Sequence, residues 1–177
     1  MIPAAASLSR ELAVEARSTR RLLERVPESE LAFRPHPKSM SLEQLASHLA
    51  RIPAMFAAAL QGDGLEVAPA TPRPPAPPIA GTAGLLSTVD ASVAAAQNLL
   101  AGLTEEQANA PFRVTHTGNE LFTLSRLEIF RTMVLNHWYH HRGQLSVYLR
   151  LLDLSVPATY GRSADEDFLA AAAARAV

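Results

Sequence analysis

His137 and His141 stand one helical turn apart in the segment NHWYHHRGQL. Imidazoles at that spacing share one face of a helix and can each offer a ring nitrogen to a single ion. Leu127, Phe130, Val134, His137, His141, Gln144, Tyr148 and Leu151 follow one another at spacings of three and four. The two histidines therefore occupy places where leucines would ordinarily face a core. A third histidine, His48, belongs to a separate amphipathic segment, beside Leu45, Leu49 and Ile52. If it faces the same centre, three imidazoles leave at least one coordination position open to water or substrate, as in catalytic sites. A divalent ion held this way lowers the pKa of bound water from about 15.7 to about 7, and would equally stabilise a thiolate or alkoxide. Spacing alone does not bring His48 to the pair. Taken singly, each histidine also reads as a hydrogen-bonded core residue.

The residues around the pair rank lower. Gln144 and Tyr148 continue the seam past His141 and could bond to a metal-bound water, with packing an equal explanation. His140 lies beside the pair but off the seam, which suits an exposed or supporting place better than ligation. His36 and His116 fall in loops bounded by proline or glycine and read as solvated. Trp138 and Tyr139 lie on flanking faces and read as packing residues of the core or of a subunit interface. The segment HWYHH lacks the glutamate of H-E-x-x-H, so the general base of zinc peptidases is missing. Nor do the helices carry the paired Glu and Glu-x-x-His ligands of di-iron bundles, which leaves one mononuclear site.

Four long helices must position these residues. The first spans Ser7 to Val26, with Leu8, Leu12, Glu15, Thr19, Leu22 and Leu23 on one stripe and Pro27 as its stop. Ser41 and Gln44 form a capping box that opens the second, whose seam is Leu42, Leu45, Leu49, Ile52 and Phe56, with a kink expected at Pro53 and an end near Gly62. Six prolines between Pro69 and Pro78 predict an extended loop. A third helix runs from Thr82 or Gly84 to Leu100, with Leu85, Leu86, Val89, Val93, Ala96 and Leu100 inward. Residues 104–120, including PFRVTHTGNE, read as a loop or small hairpin. The fourth helix starts at Thr123 or Ser125 and reaches about Leu152; an alanine-rich tail from Ala164 to Ala174 reads as a short extra C-terminal helix. The expected class is all-α, a four-helix bundle with no convincing sheet, formed as a single domain over residues 1–177.

Composition excludes several functions. Arg17, Arg20, Arg21 and Arg25 on the first helix are offset by Glu11, Glu15 and Glu24, and the net charge is −1, so no nucleic acid partner is expected. There is no cysteine, hence no disulfide, thiolate ligand or cysteine nucleophile. No stretch is apolar enough to span a bilayer, and MIPAAASLSRELAVEA lacks the pattern of a leader, so a cytoplasmic protein without a membrane association is expected.

Two segments carry a resemblance. NHWYHHRGQLSVYLRLLDLSVPATYGRSADE (Asn136 to Glu166) is similar to the H-x-x-x-H-R-G-Q-L helix and following segment of the DinB family, the DinB/YfiT-like metalloenzymes, and LAFRPHPKSMSLEQLASHLA (Leu31 to Ala50) resembles the region of that family's helix 2 histidine. The resemblance implies a four-helix bundle that often forms homodimers, with His48, His137 and His141 binding a divalent ion such as nickel or zinc. It also implies a small-molecule substrate: some relatives are S-transferases or isomerases using low-molecular-weight thiols, and others look like metal-dependent hydrolases. Fold alone does not choose among these. The proline-rich stretch departs from the family pattern and would alter pocket shape if it lies over the site. The competing reading is a non-enzymatic, stress-related binding or dimerisation bundle whose metal is structural or absent.

Overall fold

The computed structural model describes residues 4–67, 76, 77 and 79–167. Helix α1 (Ala4–Leu23) buries Leu8, Leu12, Glu15, Thr19, Leu22 and Leu23, the stripe read from its periodicity, including the two polar members. Helix α2 (Leu42–Ala59) opens at the expected capping box: the Gln44 backbone N–H donates to Ser41 Oγ at 3.2 Å, and the Ser41 N–H donates to Gln44 Oε1 at 2.9 Å. Pro53 lies inside α2 and has no N–H to give to the carbonyl of Leu49 one turn earlier. The indole N–H of the fully buried Trp138 fills that gap, donating to Leu49 O at 2.8 Å, while the Ala54 N–H turns to Ser92 Oγ at 2.8 Å. Trp138 is thus a packing residue of the core, and the break in the helix ties α2 to both neighbours.

Strand β1 (Gly64–Glu66) follows α2, and helix α3 (Gly81–Gly102) then packs on α1 and α2 through Leu85, Val89, Ser92, Val93, Ala96 and Leu100. A short helix α4 (Glu105–Asn109), capped by Thr104 and Gln107, leads into β2 (Pro111–His116) and β3 (Asn119–Ser125). The hairpin half of the expectation for this region holds. Thr117 and Gly118 turn it with φ of 49° and 79°, the two positive values a tight hairpin turn requires. Glu66 accepts from both of their N–H groups, at 3.0 and 2.9 Å.

The fold is predominantly helical, but the expected absence of a sheet is corrected: β1, β2 and β3 form a three-stranded sheet in that order, β1 parallel to β2 and β2 antiparallel to β3. Strand β1 has only three residues, too few for a period to show, and it pairs with a strand 49 residues away, Gly64 opposite Arg113. Gly64 permits the pairing, because a Cβ there would lie 2.8 Å from the Arg113 carbonyl oxygen. Phe112 and Val114 of β2 face the core.

The fourth predicted helix starts at the second of its two candidate positions, since Thr123 belongs to β3 and Ser125 is the cap. It is a rod in three parts: α5 (Arg126–Ile129), a π-helical segment (Phe130–Asn136) and α6 (His137–Leu151). Trp138, His141, Arg142, Leu145, Tyr148 and Leu149 are the buried residues of α6. The seam read from sequence therefore runs along one edge of the buried face and leaves it at Gln144 and Leu151, which are exposed. The wider turn of the π-helix breaks the strict period on which the longer seam depended. Past α6 the chain folds back on charges: Asp165 accepts from the Val156 N–H at 2.8 Å and pairs with Arg150, and Glu166 accepts from the Ala158 N–H at 3.0 Å and pairs with Arg21 and Arg25. Residues 164–167 are not helical, and the rest of the predicted C-terminal helix lies outside the described residues, as does most of the Pro69–Pro78 loop.

Candidate metal centre

Helix α2 supplies His48, and the start of α6 supplies His137 and His141. One nitrogen from each of the three lies within 4.8 Å of the others, the group of side chains among the described residues able to hold a metal ion. The contacts are made by the Nε2 atoms: His48 to His137 at 3.3 Å and His137 to His141 at 2.7 Å. Bonds of about 2.0–2.1 Å to one ion would set neighbouring imidazole nitrogens about 2.9–3.4 Å apart, for angles from square to tetrahedral. The 3.3 Å separation falls in that range and the 2.7 Å separation just below it. His141 is buried, His48 and His137 are half-buried, and Phe56 packs edge-on to His137 with ring centres 5.7 Å apart.

His141 Nδ1 lies 2.7 Å from Gln144 Oε1, within hydrogen-bond distance of an acceptor. His137 and His141 both turn their Nε2 atoms to the cluster. The inner nitrogens of His137 and His141 face each other at 2.7 Å, close enough for one ion to touch both. Imidazole nitrogen is a good ligand for zinc, nickel, copper and iron(II), and the donor set fits a divalent ion.

Electrostatics keep these ligands neutral. Burial first, then the neighbouring His141 and His137, pulls the pKa of His48 down to about 4. Burial also lowers His137 and His141, against the opposing effect of the hydrogen bonds each donates. A neutral imidazole is the form that binds metal.

The remaining predicted residues divide. Gln144 touches His141 from behind. His140 is exposed, its ring centre 4.9 Å from that of His141. The Tyr148 hydroxyl donates to the Met40 carbonyl at 3.0 Å and its ring meets Phe33 edge-on, so its polar end is committed to the loop before α2. His36 accepts from the Lys38 N–H at 3.1 Å in its own turn, and His116 is exposed on the hairpin; neither joins the cluster.

Sequence reasoning missed a second polar cluster. Arg142, the residue after His141, is 2% exposed and meets Glu15 of α1 at 2.6 Å. It also donates to the Glu15 carbonyl at 3.2 Å and to Tyr160, whose hydroxyl bonds to Glu15 at 2.8 Å. Tyr139 and Tyr160 lie against the guanidinium, with ring centres 5.2 and 4.9 Å away. The signal was present in α1, where Glu15 and Thr19 interrupt an otherwise apolar stripe.

Comparison with solved structures gives the same fold. A DinB-like protein of Bacillus subtilis superposes with a TM-score of 0.64 at 19% identity, over 88% of this chain and 99% of that one. A DinB-like protein of Bacillus cereus gives 0.63 at 19% identity, over 86% and 95%. A DinB family candidate from Exiguobacterium sibiricum gives 0.60 at 22%, over 89% and 97%. No curated protein matches the chain. No helix among the described residues is long and apolar enough to cross a membrane. The DinB family model matches residues 1–168, so that His48, His137, His141 and the strap beyond α6 all fall within the match, and the chain belongs to the DinB family.

Proposed function

We propose that the chain is a metal-dependent enzyme in which His48, His137 and His141 hold one divalent ion, nickel or zinc, and which acts on a small molecule as a hydrolase or as a thiol-dependent S-transferase. One observation carries this reading: ring nitrogens of three histidines from two helices converge, His137 to His141 at 2.7 Å and His48 to His137 at 3.3 Å. When bound, such an ion supplies Lewis acidity, lowering the pKa of a water or thiol at an open position.

The chain's own residues supply the rest. Three neutral imidazoles add no negative charge, so the ion keeps its full positive charge for the incoming group. Burial of His141 and the edge of Phe56 restrict water around the ligands. The reading includes a cytoplasmic homodimer, supported by the exposed Val147 and Leu151 on the outer face of α6.

The test is elemental analysis of the protein purified without a histidine tag, beside a His137→Ala/His141→Ala variant, followed by thiol-transfer and hydrolysis assays. About one nickel or zinc per chain, absent from the variant together with turnover, is the expected result. Turnover that survives loss of the metal would make the histidines packing residues and favour a binding or dimerisation protein.

A further inference from the structure

Two arginines are largely buried and are answered differently. The Arg142 side chain is 3% exposed and meets a Glu15 side chain that is itself 10% exposed. The Arg126 side chain is 11% exposed, but its carboxylate, Asp63 at 3.1 Å, stands fully in solvent. Water screens such a partner, which offsets little of the cost of the enclosed cation. The other contacts of Arg126 are the carbonyls of Leu60, Gly62 and Gln107, at 3.2, 2.8 and 3.5 Å, and the Phe112 ring, 5.9 Å away. These supply partial charge only. A guanidinium has five N–H donors, and one Nη1 hydrogen of Arg126 has no partner among the described residues.

Arg126 lines a cavity of about 530 Å³ that opens to solvent between the ends of α2 and α3 and helix α4. That size suits a small molecule. Leu99 and Leu103, both half-buried, form an apolar side. Gln61, Asn98 and Gln107 form a polar side, and no carboxylate lines the cavity. The capping box commits Gln107 Oε1 to the Thr104 N–H at 3.0 Å, which leaves the amide N–H groups of Gln107 to donate. Leu60 lies about 18 Å beyond His48 along the axis of α2, so the cavity is separate from the histidine cluster.

We propose that this cavity is a binding site for a small carboxylate with an apolar body. Arg126 and the Gln107 amide hold the carboxylate, and the body lies against Leu99 and Leu103. The ligand gives Arg126 the enclosed counter-charge that Asp63 does not, as Glu15 does for Arg142. An inorganic anion satisfies only the polar side, and a neutral alkyl chain only the leucines.

The test titrates the full chain with hexanoate, with hexanol and inorganic phosphate beside it, in chelator so that no ion at the histidines takes part. Proton–nitrogen spectra report the Arg126 Nε–H and the side-chain amides of Gln61, Asn98 and Gln107. Hexanoate should shift these groups to saturation and bind about tenfold more tightly than either hexanol or phosphate. Ala95→Trp fills the cavity from an exposed position on α3, leaves Arg126 in place and should abolish the shifts. Arg126→Lys keeps the charge but not the fork, and should weaken hexanoate about tenfold as read on the Asn98 and Gln107 amides. Hexanol equal to hexanoate would overturn the role of Arg126, and phosphate equal to hexanoate that of the leucines. Absence of shifts with hexanoate, or shifts that persist in Ala95→Trp, would overturn the site. Because the histidines play no part in any readout, each result stands whether or not they bind a metal.

Discussion

Consecutive residues of α6 face two unlike polar clusters. His141 turns toward α2 and its fellow histidines, and Arg142 turns toward α1 and Glu15. Around Arg142 the protein answers its own charge: a carboxylate at 2.6 Å, a backbone carbonyl, and two tyrosine rings. Around the histidines no carboxylate joins the group among the described residues; the inner nitrogens converge on one another, and Gln144 stands behind His141. A polar cluster whose charges are paired serves the fold, whereas converging imidazole nitrogens with no charged partner suit a divalent ion. Burial does not separate the two, since His141 and Glu15 are each 8% exposed.

The sharpest way to break this contrast is to remove one member of each cluster. Arg142→Ala strands the Glu15 carboxylate and should cost about 3–5 kcal/mol in denaturant unfolding, while zinc binding per folded molecule stays. A smaller loss than about 1 kcal/mol would mean that water reaches the Glu15 site. His141→Ala should behave in the opposite way. In chelator its unfolding free energy should stay near that of the unsubstituted protein. With zinc at a hundred times its dissociation constant, the unsubstituted protein gains about 2.7 kcal/mol and the variant gains almost none. Equal gains in both would place the ion elsewhere.

Trp138→Phe tests what joins the helices without charge. It leaves the Leu49 carbonyl, already deprived of an N–H by Pro53, without its indole partner. The expected loss is about 1–3 kcal/mol by thermal or denaturant melts. Restoring a backbone donor with Pro53→Ala in the same chain should recover part of it, and no recovery would argue against this pairing of causes.

The smallest effect concerns the strap beyond α6. Burial pushes the Glu166 carboxyl up, but the hydrogen bond from the Ala158 N–H and the cations of Arg21 and Arg25 outweigh it and hold the pKa below its ordinary 4.5. A lowered carboxyl pKa stabilises the folded state fully above the unfolded value and loses that contribution as pH falls through the folded one. Glu166→Gln should therefore lower stability by less than about 1 kcal/mol at pH 7, with the difference from the unsubstituted protein shrinking below pH 4.5. A difference independent of pH would assign the effect to packing.

The helices were legible because each buries one side and so must repeat apolar residues every three or four positions: the α1 stripe and the α2 capping box are where periodicity and cap chemistry put them. The sheet was half legible. The turn and alternation of β2 and β3 are local, but β1 is paired by Gly64 across the chain. In the same way the pairing of His137 with His141 is a local matter of one helical turn. The exposure of Leu151 and the Glu15 to Arg142 pair follow from a π-helical register and from contacts between helices.

The order of residues alone determined the long helices, the stacking of two imidazoles on one helix face, the absence of thiol chemistry and the resemblance to the DinB family, because each depends on near neighbours or on composition. Only the tertiary structure decided that His48 meets the pair, since His48 and His137 are 89 positions apart and can be brought together only by packing. It also decided which nitrogen of each α6 histidine faces inward. That choice rests on the rotation of α6 against its neighbours and, for His141, on Gln144 behind the ring.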